Sequence, residues 1–293
     1  MKMSTILENV EGYSGRQNTL TLSLEVDVRE IVQHIVFFPG DLQNYHEKMI
    51  ENLQSRQWKN WSYEHTSQII TKRFPNSIVW LVHPSRMHDG MFSCYYNFIN
   101  CDLLGSPENF EYHDAIVHLE MLIRQGTQRY ITKQTSQENK TESRRQESPS
   151  SENLETSFRD LPVTLVGFSK GCMVLNQIIT EIGKCPEKIS RGHYDHFCQR
   201  LKSIIWLDGG HSNPDINVWI TERKTLSKLA LRGYELQVHV TPWQVQDMVR
   251  PHIGEQERLF VDSLRSCGGK VTEKVHFPGE RIFENHFNIL KEF

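Results

Sequence analysis

The sequence predicts an α/β protein built on a central, mostly parallel sheet flanked by helices, and three observations carry that expectation. Short β-branched runs alternate with amphipathic segments along most of the 293 residues, the order that parallel strands and crossover helices produce. Several of the runs are apolar throughout, as in strands covered on both faces. One of them passes through Gly167-Phe168-Ser169-Lys170-Gly171 directly into a helical pattern.

That third stretch organises the rest. Val163-Thr164-Leu165-Val166 reads as a buried strand, and Met173, Val174, Gln177, Ile178 and Ile182 recur at helical spacing beyond the turn. Strand, G-x-S-x-G and helix in succession form the nucleophile elbow of an α/β-hydrolase fold. The sharp turn lifts Ser169 Oγ over the sheet edge, and Gly167 and Gly171 let strand and helix approach around it. The new helix points its first N–H groups at the place where an oxyanion would form. G-x-S-x-G alone is common enough to arise by chance, so the flanking strand and helix supply its specificity. A phosphate cradle is disfavoured because the G-x-x-x-x-G-K-[ST] spacing is absent.

In chain order, residues 1–18 are expected to be a poorly ordered lead-in, and residues 19–293 a single domain. Leu20–Val26 alternates and reads as a strand with one wet face. His34–Phe38 is a buried strand stopping at Pro39-Gly40-Asp41. In this fold the loop there supplies one oxyanion N–H, so the backbone of Gly40 or Asp41 is nominated, with the N–H of Lys170 as partner. Helices are expected over Tyr45–Arg56 and Ser62–Phe74, then a strand over Ser77–Val82. Arg86 and His88 follow in a loop near the carboxyl edge, where open sheets bind ligands; they are candidate substrate contacts, with a solvated loop as the competing expectation. Tyr112 to about Gln125 carries an apolar helical stripe. Residues from about 132 to 160 are polar and almost without hydrophobes, which predicts a disordered insertion within the domain. Beyond the elbow come a strand over Leu201–Leu207 ending in Asp208-Gly209-Gly210-His211, a helix over Trp219–Arg232, and a strand over Glu235–Val240. A helix over Glu255–Ser266 and a last strand over Val271–Phe277 complete the series.

Composition excludes other classes. A formal charge of −3 and a pI near 6.5 argue against nucleic acid as partner. No apolar run approaches the ~18 residues of a membrane span. The N-terminus lacks the apolar core of a signal peptide and carries acidic residues unsuited to a transit peptide. Six scattered cysteines without C-x-x-C suggest reduced thiols and an intracellular location. His193-Tyr194-Asp195-His196 fits neither H-E-x-x-H nor a Cys/His zinc pattern, so no metal site is expected there. Asn139-Lys140-Thr141 matches a glycosylation sequon, discounted without a secretory signal.

A serine nucleophile needs a base within hydrogen-bond reach and a carboxylate to fix its tautomer, delivered in this fold in the order Ser, acid, His. Among the late histidines, His276 sits inside a strand and His252 in a loop. His286 follows the last strand, where the fold delivers its base. The acid has two candidates: Asp247, after the penultimate strand, is preferred, and Asp208, capping its own strand, is the alternative.

Several stretches carry a family resemblance: Phe38-Pro39-Gly40-Asp41, Ser85-Arg86-Met87-His88, Leu165–Cys172, Trp206–Ser212, His239–Pro242 and Glu284–Phe287. With them the chain resembles the mitochondrial α/β-hydrolase-like family typified by chromosome 2 open reading frame 69. The resemblance implies a serine-hydrolase-type site at Ser169 and a mitochondrial location, the matrix. Vertebrate members carry an N-terminal extension, whereas this chain begins almost at its domain, so a cytosolic location is the alternative. The resulting expectation is a serine hydrolase taking a small-molecule or lipid-like carboxylic ester or thioester, with Ser169, Asp247 and His286 as triad. It needs no cofactor and no metal. The rival expectation is a non-catalytic hydrolase fold that binds partners, and an acyltransferase would share the same triad.

Overall fold

The structure, a computed structural model, describes residues 3–141, 156–184, 191–210, 216–217 and 219–293. It opens on an antiparallel pair, β1 (Met3–Glu11) and β2 (Gln17–Leu24). The lead-in expected to be poorly ordered is therefore an edge strand. Its alternation is hidden by a register shift between Leu7 and Val10, with Asn9 at φ 49. The bulge puts Leu7 and Val10 on one buried face although they stand three apart. β2 is also drier than its alternation suggests, since Thr21 and Ser23 are buried along with Leu20, Leu22 and Leu24.

The parallel strands follow as β3 (Gln33–Phe38), β4 (Ser77–Val82), β7 (Val163–Phe168), β8 (Leu201–Leu207), β9 (Glu235–Val240) and β10 (Lys270–Val275). A small hairpin, β5 (Arg86–His88) and β6 (Phe92–Cys94), lies outside the sheet and occupies the loop expected to hold Arg86 and His88. The eight-stranded sheet runs β1-β2-β4-β3-β7-β8-β9-β10, parallel from β4 onward. β3, β7 and β8, apolar over most of their length, occupy the centre.

Helices cover both faces. On one lie α3 (Ala115–Thr141), α4 (Cys172–Lys184), α5 (Arg191–Arg200), α6 (Arg223–Leu231) and α8 (His252–Ser266). On the other, α2 (Tyr63–Arg73) and α9 (Phe283–Glu292) pack Tyr63, Ile70, Phe287 and Leu290 against Phe37, Leu81 and Val166. Short helices α1 (His46–Glu51) and α7 (Pro242–Val245) follow β3 and β9. Ser62 caps α2, its hydroxyl accepting the His65 N–H. The polar stretch expected to be disordered from about 132 begins as helix: α3 continues to Thr141, because Gln, Lys and Glu propagate a helix already packed through Tyr130 and Ile131. Its stretch 142–155, Cys185 and His211 lie outside the described residues. None of the five described cysteines is in a disulfide, and no described helix is long and apolar enough to cross a membrane.

The start of α3 depends on one buried acid. Glu181, on α4, accepts the N–H groups of His113 (3.0 Å), Ala115 (2.9 Å) and Ile116 (3.1 Å), donors that the first turn of a helix cannot pair internally. Burial pushes its carboxyl up, and these hydrogen bonds pull it back. Glu181→Ala strands two buried N–H groups and a half-buried one, and a stability loss of about 3 kcal/mol in urea unfolding is expected. A loss below about 1 kcal/mol would show that water replaces the cap.

Candidate active site

β7 delivers Ser169 into the turn at φ 53, a left-handed conformation that a residue with a Cβ adopts only under constraint. The constraint is visible on both sides of the turn. A Cβ on Gly171 would collide with the Phe38 carbonyl oxygen, so β3 and the elbow touch at a point only glycine permits. A Cβ on Gly40 would lie 2.6 Å from Ser169 Cβ, placing the β3 loop directly against the serine.

His286 reaches the same point from α9. Its Nε2 is 2.9 Å from Ser169 Oγ and its Nδ1 is 2.7 Å from Asp208 Oδ2. Ser169 is 2% exposed and His286 4%, while Asp208 is fully enclosed. Asp208 ends β8 at φ 52, a second strand-end residue in the left-handed region. Thr241, at the end of β9, holds it twice: the Thr241 N–H donates to Oδ1 (2.6 Å) and the hydroxyl to Oδ2 (2.7 Å). Phe168 (4.8 Å between ring centroids) and Phe283, stacked at 15° to the imidazole, wall the histidine in.

The carboxylate against His286 is thus Asp208, and the preference for Asp247 is corrected. Asp247 lies after α7, where it accepts the Val249 N–H (2.9 Å) and pairs with Arg250 (2.8 Å) and Arg281 (3.2 Å). These contacts hold its carboxyl below the usual range against the opposing pull of burial. It ties the 247–250 loop to the segment entering α9, with Met248 and Val249 exposed at the tip.

The loop after β3 shows how its peptides are aimed. The Gly40 N–H donates to Gln43 Oε1 (2.9 Å), and Gln43 is itself anchored to Trp61 O and Thr66. That commitment removes Gly40 from the two nominated oxyanion donors. The Gly40 carbonyl accepts the Ser93 hydroxyl (2.8 Å), which fixes the Gly40–Asp41 peptide plane and aims the Asp41 N–H the opposite way. The Asp41 carboxylate accepts the Ser93 N–H (2.7 Å) and pairs with Lys170 Nζ (2.9 Å).

The C2orf69 family model matches residues 6–160 and 133–270. This chain belongs to the C2orf69 family. The "Mitochondrial protein C2orf69 homolog" of Mus musculus is 38% identical across 95% of this chain and 83% of its own length. "Mitochondrial protein C2orf69" of Homo sapiens is 36% identical across 89% and 74%. Among solved structures, the Pyrococcus horikoshii acylaminoacyl peptidase superposes with a TM-score of 0.51 at 12% identity, covering all of this chain and 40% of that one. A thermostable esterase gives 0.49 at 12% identity, covering 99% and 59%. The chain therefore spans less than two thirds of both enzymes. The likeness to the peptidase shows that this C2orf69-family chain has the α/β-hydrolase fold.

The remaining expected residues are placed as follows. Arg86 and His88 lie in the β5–β6 hairpin, 3.5 Å apart, with His88 beside Asp89. His276 pairs with His239 (2.9 Å) at the ends of β9 and β10. His193 faces Arg124, and His196 bridges Glu120 and Asp160, so they belong to the α3–α5 packing. Sequence reasoning missed Thr241, Gln43 and Ser93. The signals for Thr241 were its position immediately beyond a strand end and its place in the His239–Pro242 stretch that carries the resemblance.

Proposed function

We propose that this C2orf69-family protein is a serine hydrolase acting on a carboxylic ester or thioester. The observation that carries the reading is the continuous chain Ser169 Oγ–His286–Asp208 at 2.9 and 2.7 Å, with Ser169 held in a strained turn. His286 Nε2 takes the proton as Ser169 Oγ attacks the substrate carbonyl. Asp208 stabilises the imidazolium through Nδ1, and Thr241 fixes Asp208. The oxyanion is received by the N–H groups of Lys170 and Asp41. His286 then protonates the leaving alcohol or thiol, and water attacks the acyl-enzyme by the same steps in reverse. The acyl substrate is small or lipid-like, and relatives that are themselves mitochondrial proteins support a mitochondrial setting.

Labelling with a fluorophosphonate tests this. Wild type is expected to label at Ser169, located by mass spectrometry, and Ser169→Ala and His286→Ala to lose the label while retaining their fold. Folded wild type that stays unlabelled at millimolar probe would instead favour a partner-binding role for the fold.

A further inference from the structure

The residue after the nucleophile is a lysine, and it is buried: Lys170 is 2% exposed although it carries a charge. Its ammonium is used completely, donating to the Leu104 carbonyl (2.7 Å), pairing with Asp41 Oδ2 (2.9 Å) and lying over the Phe92 ring at 5.3 Å. Asp41 belongs to the loop pressed against Ser169, and Lys170 belongs to the elbow. The pair therefore joins the two chain segments whose amides face the reacting carbonyl in the reading above.

A buried ion pair is a poor source of stability, because withdrawing each ion from water costs several kcal/mol and an apolar pair of like volume usually serves as well. The placement asks for another account. Burial pushes the Asp41 carboxyl up, while Lys170 and the Ser93 N–H oppose that, and the carboxyl also senses charge on His286. An uncompensated carboxylate there would repel the oxyanion that forms at its own backbone N–H.

Resting on the serine-hydrolase reading, we propose that the Asp41–Lys170 ion pair is a positioning clamp for the oxyanion hole. It locks the Asp41 and Lys170 peptides to one another and cancels the Asp41 charge beside the developing oxyanion. The two side chains act through their own main-chain amides and do not touch substrate. Ser93 completes the clamp by holding the Asp41 carboxylate through its N–H and the Gly40 carbonyl through its hydroxyl.

The clamp predicts a sign that lost packing would not produce. Lys170→Met removes the ammonium that faces the Asp41 carboxylate, so its effect should be larger than that of removing both charges together. The test is the second-order rate of Ser169 phosphonylation by a small fluorophosphonate, followed by mass spectrometry, in variants checked for thermal unfolding. Lys170→Met is expected to react about a hundredfold more slowly than wild type, and Asp41→Asn/Lys170→Met to recover to within about tenfold. Lys170→Arg, which keeps the pair, should stay within about tenfold as well. If Lys170→Met does not fold, Lys170→Gln and its double variant with Asp41→Asn carry the same expectation. Equal rates in wild type and Lys170→Met, or a double variant as slow as the single one, would overturn the clamp. Wild type that does not react at all overturns the hydrolase reading and the clamp with it, a result distinct from equal rates.

Discussion

Asp208→Asn should lower the rate of Ser169 phosphonylation by about 10⁴-fold, whereas Asp247→Asn should stay within about fivefold of wild type. The size of the first effect follows from hydrogen-bond polarity. The Thr241 N–H points at Oδ1 and has no freedom to turn, so an asparagine must keep its oxygen there. Its NH₂ then occupies the Oδ2 position, 2.7 Å from His286 Nδ1. Two donors cannot share that contact, so the imidazole shifts its proton to Nε2 and Nδ1 becomes the acceptor. Nε2 then faces Ser169 as a donor and cannot take its proton. Asp247 has no such leverage, since its carboxylate is spent on Val249, Arg250 and Arg281. Near-wild-type rates in Asp208→Asn would refute the assignment, and a large loss in Asp247→Asn alone would show that the loop it braces controls His286.

Much of this site was legible in the sequence, for reasons that also explain the errors. The elbow is encoded locally, because a strand, two glycines and a helix within twenty residues leave one geometry for Ser169. His286 was found by chain order, since one segment remains after the last strand. The acid was not local. β8 and β9 are neighbours in the sheet, so a carboxylate at the end of either can approach the same imidazole, and chain order cannot separate them. What separates them is Thr241, which receives Asp208, and the arginines that capture Asp247. Both are contacts between distant residues. The same limit explains β1, whose alternation a bulge conceals, and the loop after β3, where Gln43 claims the Gly40 amide that sequence offered to the oxyanion.

Acidification should unfold the protein steeply between about pH 6.5 and 4, and three histidines remote from Ser169 set the sign. The His34 Nδ1 accepts the Trp80 indole N–H (2.9 Å), so its proton sits on Nε2, which donates to Phe158 O (2.8 Å). The His118 Nδ1 accepts the Tyr13 N–H (3.1 Å), leaving Nε2 to donate to Asn18 Oδ1 (2.9 Å). His83 is buried against Thr21 Oγ1 at 2.8 Å. All three are enclosed, and His34 and His118 have no place for a second proton without losing an acceptor. Burial lowers His34 to about 4, and lowers His83 and His118 to about 3. Above about pH 6.5 both folded and unfolded chains hold them neutral, and they add no pH dependence. Below it the unfolded chain binds protons that the folded chain refuses, so stability falls as pH falls, by about 1.4 kcal/mol per unit for each histidine. Together they remove about 4 kcal/mol per unit, enough to exhaust an ordinary domain stability within two to three units. Urea midpoints at pH 7.5, 6.5, 5.5 and 5.0 measure the slope. Replacing His83 by Gln should reduce that slope by about 1.4 kcal/mol per unit in a variant that folds. A flat profile down to pH 5 would mean that these rings are protonated, or solvated, in the native state.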